Sequence, residues 1–292
     1  MHRRDPLTPV DPALEHDYVF SDRFRERTDV YQSIAAASES ARRDWPVWID
    51  LAYGDHPLER LDLFPGGPGS PLLIFMHGGY WSSLNKSSFS YVAPPFLRRG
   101  FSVAVLGYPR APAMCVAGIV RSVRKGVRWL GDEGAAHLPD TGSFYTCGHS
   151  AGGHLAVMVA IDDGGEESDG CPRAPPVAGC APLSGIFDLR PLAHTTIAGR
   201  IGLDEASAEG LSPQLKPAPS GWLLAGVGEA ETPGFAGQTS NYVQRCRSLG
   251  ADASTLVLPM ANHYTVLLEL GRDEGAFVQA VHSRARLDPG TA

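Results

Sequence analysis

Residues 143–160 read SFYTCGHSAGGHLAVMVA, an apolar run, then Gly148-His149-Ser150-Ala151-Gly152-Gly153, then a run of helix-forming apolar residues. A G-x-S-x-G placed directly between a strand and a helix is the pattern of a nucleophile elbow. The serine stands on a tight strand-to-helix turn, so the residues two positions either side must be small for the backbone to pass. Gly148 and Gly152 meet that need, and the hydroxyl of Ser150 is left exposed over a helix N-terminus. Ser150 is therefore the candidate nucleophile.

Working outward, His77-Gly78-Gly79-Tyr80-Trp81 closes the apolar run PLLIFM (71–76). Glycines there let a loop fold back and aim backbone N–H groups at a carbonyl oxygen that becomes an oxyanion. The N–H groups of Gly79, Tyr80 and Ala151 are the expected donors. A general base follows the nucleophile in such a fold, at the end of the last strand, where Pro259-Met260-Ala261-Asn262-His263-Tyr264 sits. His263 is the histidine so placed. His282 falls in the terminal helix and His194 in an inserted segment, while His77, His149 and His154 belong to the motifs as framework. The acid that orients an imidazole follows the penultimate strand, and LLAGVGEAETPGF offers Glu229 and Glu231. Glu231, further past the strand end, is favoured.

Strand-like and helix-like segments alternate along the chain: 71–76, a helix around 87–98, 101–108, a helix around 115–130, 143–148, a helix from Ala151. They continue with 177–185, 220–228, a helix around 235–248, 253–259 and a final helix from about Thr265. Alternation of this kind builds a parallel sheet. WIDLAY and LERLDLF, separated by turn residues, form a hairpin at its edge. The expected architecture is the α/β-hydrolase fold, a mostly parallel central sheet with helices on both faces and a small cap. Residues 1–45 read as an N-terminal arm and helical cover, and 46–292 as the hydrolase domain with a cap insertion around 188–219. The stretch 162–176, rich in Gly, Asp and Glu, reads as a surface loop.

Composition narrows the function classes. A net charge of −7 with scattered Lys and Arg carries no nucleic-acid footprint. The basic start MHRR is followed by no apolar stretch, and no later one approaches a membrane span of ~20 residues, so cytoplasmic residence is expected. Five cysteines without C-x-x-C spacing read as reduced thiols. His149 and His154, five apart across the elbow, lack the interleaved carboxylate of a metal site, and no G-x-G-x-x-G or P-loop follows a strand. The expectation is no metal, no cofactor, no nucleic-acid or membrane partner, and small-molecule chemistry; a homodimer is left open.

HGGYW (77–81), GHSAGGHL (148–155), PLSGIFDLRPL (182–192), Ser212-Pro213 and Glu231 followed by Phe235-x-x-Gln238 resemble the kynurenine formamidase (arylformamidase) family and its bacterial relatives over about 53–270. A looser similarity links the HGG loop to the hormone-sensitive-lipase group of esterases. The family's usual Tyr-Arg-Leu-Ala-Pro is here Tyr108-Pro109-Arg110-Ala111-Pro112. The resemblance implies a cofactor-free serine hydrolase that cleaves N-formyl-kynurenine or a related N-formyl arylamide through a formyl-enzyme, with Ser150, Glu231 and His263 as triad. Trp81, Phe187 and Tyr264, with Tyr80, are candidates to stack on the substrate ring or to fill the core. A carboxylesterase of the same fold is the second reading. A binding protein on a hydrolase scaffold is the third, and an intact Ser, His and acid argues against it.

Overall fold

The computed structural model describes residues 9–20, 23–138, 140–161 and 175–287. Cys171, most of the expected 162–176 loop and the first eight residues lie outside the described residues. Eight strands among the described residues form one sheet. They are β1 (Trp48–Ala52), β2 (Arg60–Phe64), β3 (Leu72–Met76), β4 (Ser102–Leu106), β5 (Phe144–His149), β6 (Val177–Leu183), β7 (Trp222–Gly228) and β8 (Ala253–Leu258). Their order is β1-β2-β4-β3-β5-β6-β7-β8. β2 runs antiparallel to β1 and β4, and β3 through β8 are mutually parallel.

Every residue of β3 and β4 is buried, the mark of strands covered on both faces. The cover comes from α3 (Ala93–Leu97), α4 (Val116–Gly131), α5 (Ala151–Ala160), α8 (Pro233–Ser248) and α9 (Ala276–Arg286). α5 packs on β3, β5 and β6, and α4 packs on α5. α4 shows why such a segment becomes a helix: Val116, Ile119, Val120, Val123, Val127 and Leu130 recur at helical spacing and are buried. Two expected helices are shorter than their sequence spans suggest. Pro94 and Pro95 confine the segment around 87–98 to short 3₁₀ turns and a five-residue helix, since proline lacks the donor needed inside a helix. After Thr265 the chain makes a 3₁₀ run to Gly271, and α9 begins only at Ala276, whose N–H is capped by Glu269 Oε2 at 3.0 Å.

α1 (Pro12–Tyr18) and α2 (Arg27–Asp44) precede the sheet. α2 lies on the 3₁₀ turns at 86–92 and 265–271, and Ser38 Oγ accepts the N–H of Tyr91 at 3.1 Å. Between β6 and β7 lie α6 (Thr196–Ile201) and α7 (Glu205–Gly210). Glu15 of α1 accepts the Thr196 N–H at 2.8 Å and its hydroxyl at 2.6 Å, which ties the two additions together. Among the described residues no helix is long and apolar enough to cross a membrane, and the four described cysteines are unpaired.

The register brings the working ends of the strands to one rim. Met76 pairs with Gly148, His149 with Leu183, Leu183 with Gly226 and Gly228 with Leu258. The loops that follow β3, β5, β6, β7 and β8 therefore emerge side by side at the carboxyl end of the sheet, where open α/β sheets bind ligands.

Candidate active site

Ser150 sits between β5 and α5 with φ 57° and ψ −120°, a conformation a non-glycine residue holds only under tertiary constraint. That constraint is visible. The Ser150 N–H donates to the Leu183 carbonyl at 2.9 Å, and a Cβ on Gly148 would run into Gly152, as one on Gly152 would run into the carbonyl oxygens of Met76 and His77. The elbow is packed so closely against the end of β3 that only glycine fits either side of the serine.

The loop after β3 supplies the second component. His77 Nδ1 lies 2.8 Å from the Gly78 carbonyl, and the Gly79 carbonyl accepts the Ser82 and Ser83 N–H groups at 3.1 and 3.0 Å. In a trans peptide the N–H points opposite the carbonyl, so these bonds set the directions of the Gly79 and Tyr80 N–H groups. Gly79 has φ 103°, and Tyr80 and Trp81 also have positive φ. Burial pushes the His77 imidazole down to about 4, so the ring is neutral. The third expected donor, Ala151, is the first residue of α5, where a helix N–H has no intrahelical acceptor.

The loops after β7 and β8 are laced together. Ala230 N–H donates to the Ala261 carbonyl at 2.9 Å, and Asn262 Oδ1 accepts the N–H groups of Tyr264 and Thr265 at 3.0 Å each. His263 Nδ1 stands 2.9 Å from Glu231 Oε2, with the Glu231 side chain fully buried. Ser184 Oγ donates to the other carboxylate oxygen, Oε1. Glu229 is exposed and accepts the Met260 N–H at 2.9 Å. Of the two carboxylates left open by the sequence, Glu231 is the one that meets the imidazole.

Ser150, His263, Gly79 and Tyr80 share the lining of one cavity of about 110 Å³. Its walls are aromatic: Tyr18, Phe20, Tyr31, Tyr80 and Tyr264. Phe20 stands edge-on to the His263 ring at 5.2 Å, and Phe235 lies 4.2 Å from it on another side. Tyr264 takes its expected place, but two other expected pocket residues do not. Trp81 is fully buried and edge-on to His154 at 5.1 Å, and Phe187 is fully buried and stacked on Tyr242 at 4.4 Å. Both are core, because the tight turn at Gly79–Trp81 aims Trp81 inward and Gly185 leaves just enough room for the Phe187 ring.

Sequence reasoning missed Ser184, Phe20, Tyr31, Arg27 and Arg200, the last four of which line the cavity. The four cavity residues lie on segments without a motif, whereas Ser184 lies inside PLSGIFDLRPL, where the sequence gives it no role of its own. Gln238, noticed only as part of a motif, proves to be a fastener. Its Oε1 accepts the N–H groups of Phe187 and Asp188 at 2.8 and 2.7 Å, and its Nε2 donates to the Tyr18 hydroxyl at 3.0 Å.

Comparison with known proteins agrees with this architecture. The BD-FAE family profile matches residues 65–194. Kynurenine formamidase of Danio rerio is 29% identical over 247 residues, 82% of each chain, and that of Drosophila melanogaster 26% identical over 220 residues, 70% of each. A crystal structure of a Silicibacter protein provisionally described as a thioesterase superposes with a TM-score of 0.79 at 28% identity, covering 91% of this chain and 97% of that one. Esterase B of Lactobacillus superposes at 0.71 and 16% identity, covering 92% and 96%, which speaks for the fold alone. In architecture the chain has the α/β-hydrolase fold, and in sequence it is similar to the kynurenine formamidases.

Proposed function

We propose that the chain is a serine hydrolase that cleaves an N-formyl arylamide, N-formyl-kynurenine or a close relative, to formate and the free arylamine. The observation that carries this reading is that His263, held from behind by the buried carboxylate of Glu231, lines one small aromatic cavity with Ser150. With Nδ1 held by the carboxylate as N–H, the lone pair of His263 resides on Nε2, the tautomer a general base needs.

Ser150 Oγ attacks the formyl carbon as its proton passes to His263 Nε2. The N–H groups of Gly79, Tyr80 and Ala151 receive the oxyanion. The C–N bond then breaks, His263 returns the proton to the departing arylamine, and water, activated by the same imidazole, releases formate from the formyl-serine. Glu231 stabilises the imidazolium formed on the way, and Ser184 holds Glu231.

The described segments before the sheet act as a cover in this reading, since Tyr18, Phe20 and Tyr31 line the cavity, and the 188–219 insertion adds Ile197 and Arg200 to its lining. The relatives also include isoprenylcysteine methylesterases, 30% identical over 42% of the chain for that of Oryza sativa, so a short-chain ester is the second reading. Parallel turnover of N-formyl-kynurenine and a p-nitrophenyl acetate by purified protein decides between them. The expected result is efficient release of formate; hydrolysis of the ester alone would remove the formamidase reading.

A further inference from the structure

Two guanidinium groups line the cavity, each beside a different part of its aromatic wall. Arg27 opens α2, and its guanidinium carbon lies 5.6 Å from the Tyr31 ring centre and 5.9 Å from that of Tyr264. Arg200, exposed near the end of α6, lies 5.8 Å from the Tyr80 ring centre. All five residues line the Ser150 cavity.

Among the described residues neither arginine forms an ion pair, whereas Arg98, Arg190, Arg272 and Arg284 each meet a carboxylate. The Glu231 carboxylate behind His263 is fully buried and engaged by His263 and Ser184. In a chain of net charge −7, two uncompensated cations lining one cavity mark a local field of the opposite sign. Stacking on an aromatic face fixes a guanidinium through its plane and leaves its edge N–H donors available, the geometry that receives a carboxylate in bidentate fashion.

We propose that this pair is an anion subsite: Arg27 and Arg200 bind a carboxylate carried on the part of the substrate that departs after acyl transfer, with its planar body held between Tyr31, Tyr80 and Tyr264. The placement on the departing part rests on the hydrolase reading above, in which the small acyl group fills the inner end beside Ser150. The anion preference itself needs only the two arginines.

The probes are ortho-formamidophenyl-propanoate and the matching propanamide, alike in shape and different in charge. Calorimetry on the full-length Ser150→Ala chain gives both dissociation constants, and is repeated with Arg27→Gln and Arg200→Gln added singly and together. The propanoate is expected to bind about tenfold more tightly than the propanamide, with each glutamine lowering that ratio several-fold, as for loss of a charge-assisted hydrogen bond. The propanamide controls for any collapse of the aromatic wall when Arg27 is shortened. Equal affinity for the pair, a propanoate preference that survives both substitutions together, or no measurable propanoate binding would each overturn the subsite. Turnover by the unsubstituted chain is scored separately. Failure to hydrolyse either probe strikes at the hydrolase reading, while the affinity ratio still decides the anion subsite.

Discussion

His149 Nε2 lies 2.9 Å from the backbone carbonyl oxygen of His263, so the residue before the candidate nucleophile holds the loop that carries the candidate base. Burial, with the adjacent His263 ring adding to it, keeps the His149 imidazole well below its ordinary range. A neutral ring bonded to a carbonyl must be the donor, with its proton on Nε2. The two loops are thus tied to each other, which the proposed proton transfer between Ser150 and His263 requires.

His149→Ala should remove that lock while leaving the triad chemically intact. A displacement of about 1 Å at the base can cost up to ~10² in rate, so kcat should fall by that order with little change in KM. His149→Gln, which restores an amide donor at similar reach, should recover much of the loss. An alanine variant with unchanged kcat would show that the loop is positioned by other bonds.

Glu231 and Glu229 are two residues apart and differ in everything the imidazole needs. Glu231→Gln keeps the shape but removes the charge that stabilises imidazolium, and a loss on the order of 10²–10⁴-fold in kcat is expected by analogy with serine proteases. Glu229→Gln, at an exposed site bonded to the Met260 N–H, should leave kcat essentially unchanged. The reverse pattern, measured on one substrate at one pH, would move the acid to Glu229.

Gly152→Ala tests the packing of the elbow rather than its chemistry. The added methyl would collide with the Met76 and His77 carbonyl oxygens, and overpacking of this kind costs about 1–3 kcal/mol. A lowered urea midpoint together with lost activity is expected. A variant as stable and active as the parent would mean that β3 and the elbow are less tightly joined than the backbone places them.

Stability should fall on acidification through a window set by buried histidines. Burial pushes His77 and His154 down to about 4 from an ordinary 6.5. Both are neutral in the fold, but in the unfolded chain they gain protons as the pH drops below 6.5. The unfolded state therefore binds more protons between about pH 6.5 and 4, and stability declines across that range, by on the order of 3 kcal/mol for each ring. The urea midpoint should drop from about pH 7 to about pH 5, and His154→Gln, which retains a donor for the Leu211 carbonyl now bonded to His154 Nε2, should flatten the drop. A midpoint that holds constant over this range in the parent chain would contradict neutral burial.

The sheet and the elbow were legible in the sequence because both depend on local chemistry. The apolar runs at 71–76 and 143–148 alternate with helix-like segments, and Gly148 and Gly152 bracket Ser150 at a fixed spacing, although the carbonyls that exclude a side chain at Gly152 belong to Met76 and His77. His263 and Glu231 were legible for a related reason, since strand order places the loops after β7 and β8 beside the elbow. The cavity wall was not. Phe20, Tyr31 and Arg27 reach it from segments before the sheet, and Arg200 from the insertion, through contacts between residues more than a hundred positions apart that no local pattern encodes. Trp81 and Phe187 misled for the complementary reason: proximity to a motif in sequence says nothing about which way a large ring turns once the backbone bends.

The most direct test of the account is the turnover number of Ser150→Ala, measured beside its urea midpoint. The Ser150 side chain lines the cavity, and alanine is smaller than serine, so the fold should persist with a midpoint close to the parent's. Turnover should fall by on the order of 10³-fold or more on formamide and ester substrates alike. A folded Ser150→Ala chain that hydrolyses either substrate at near the parent rate would contradict the assignment of Ser150, and with it the covalent mechanism.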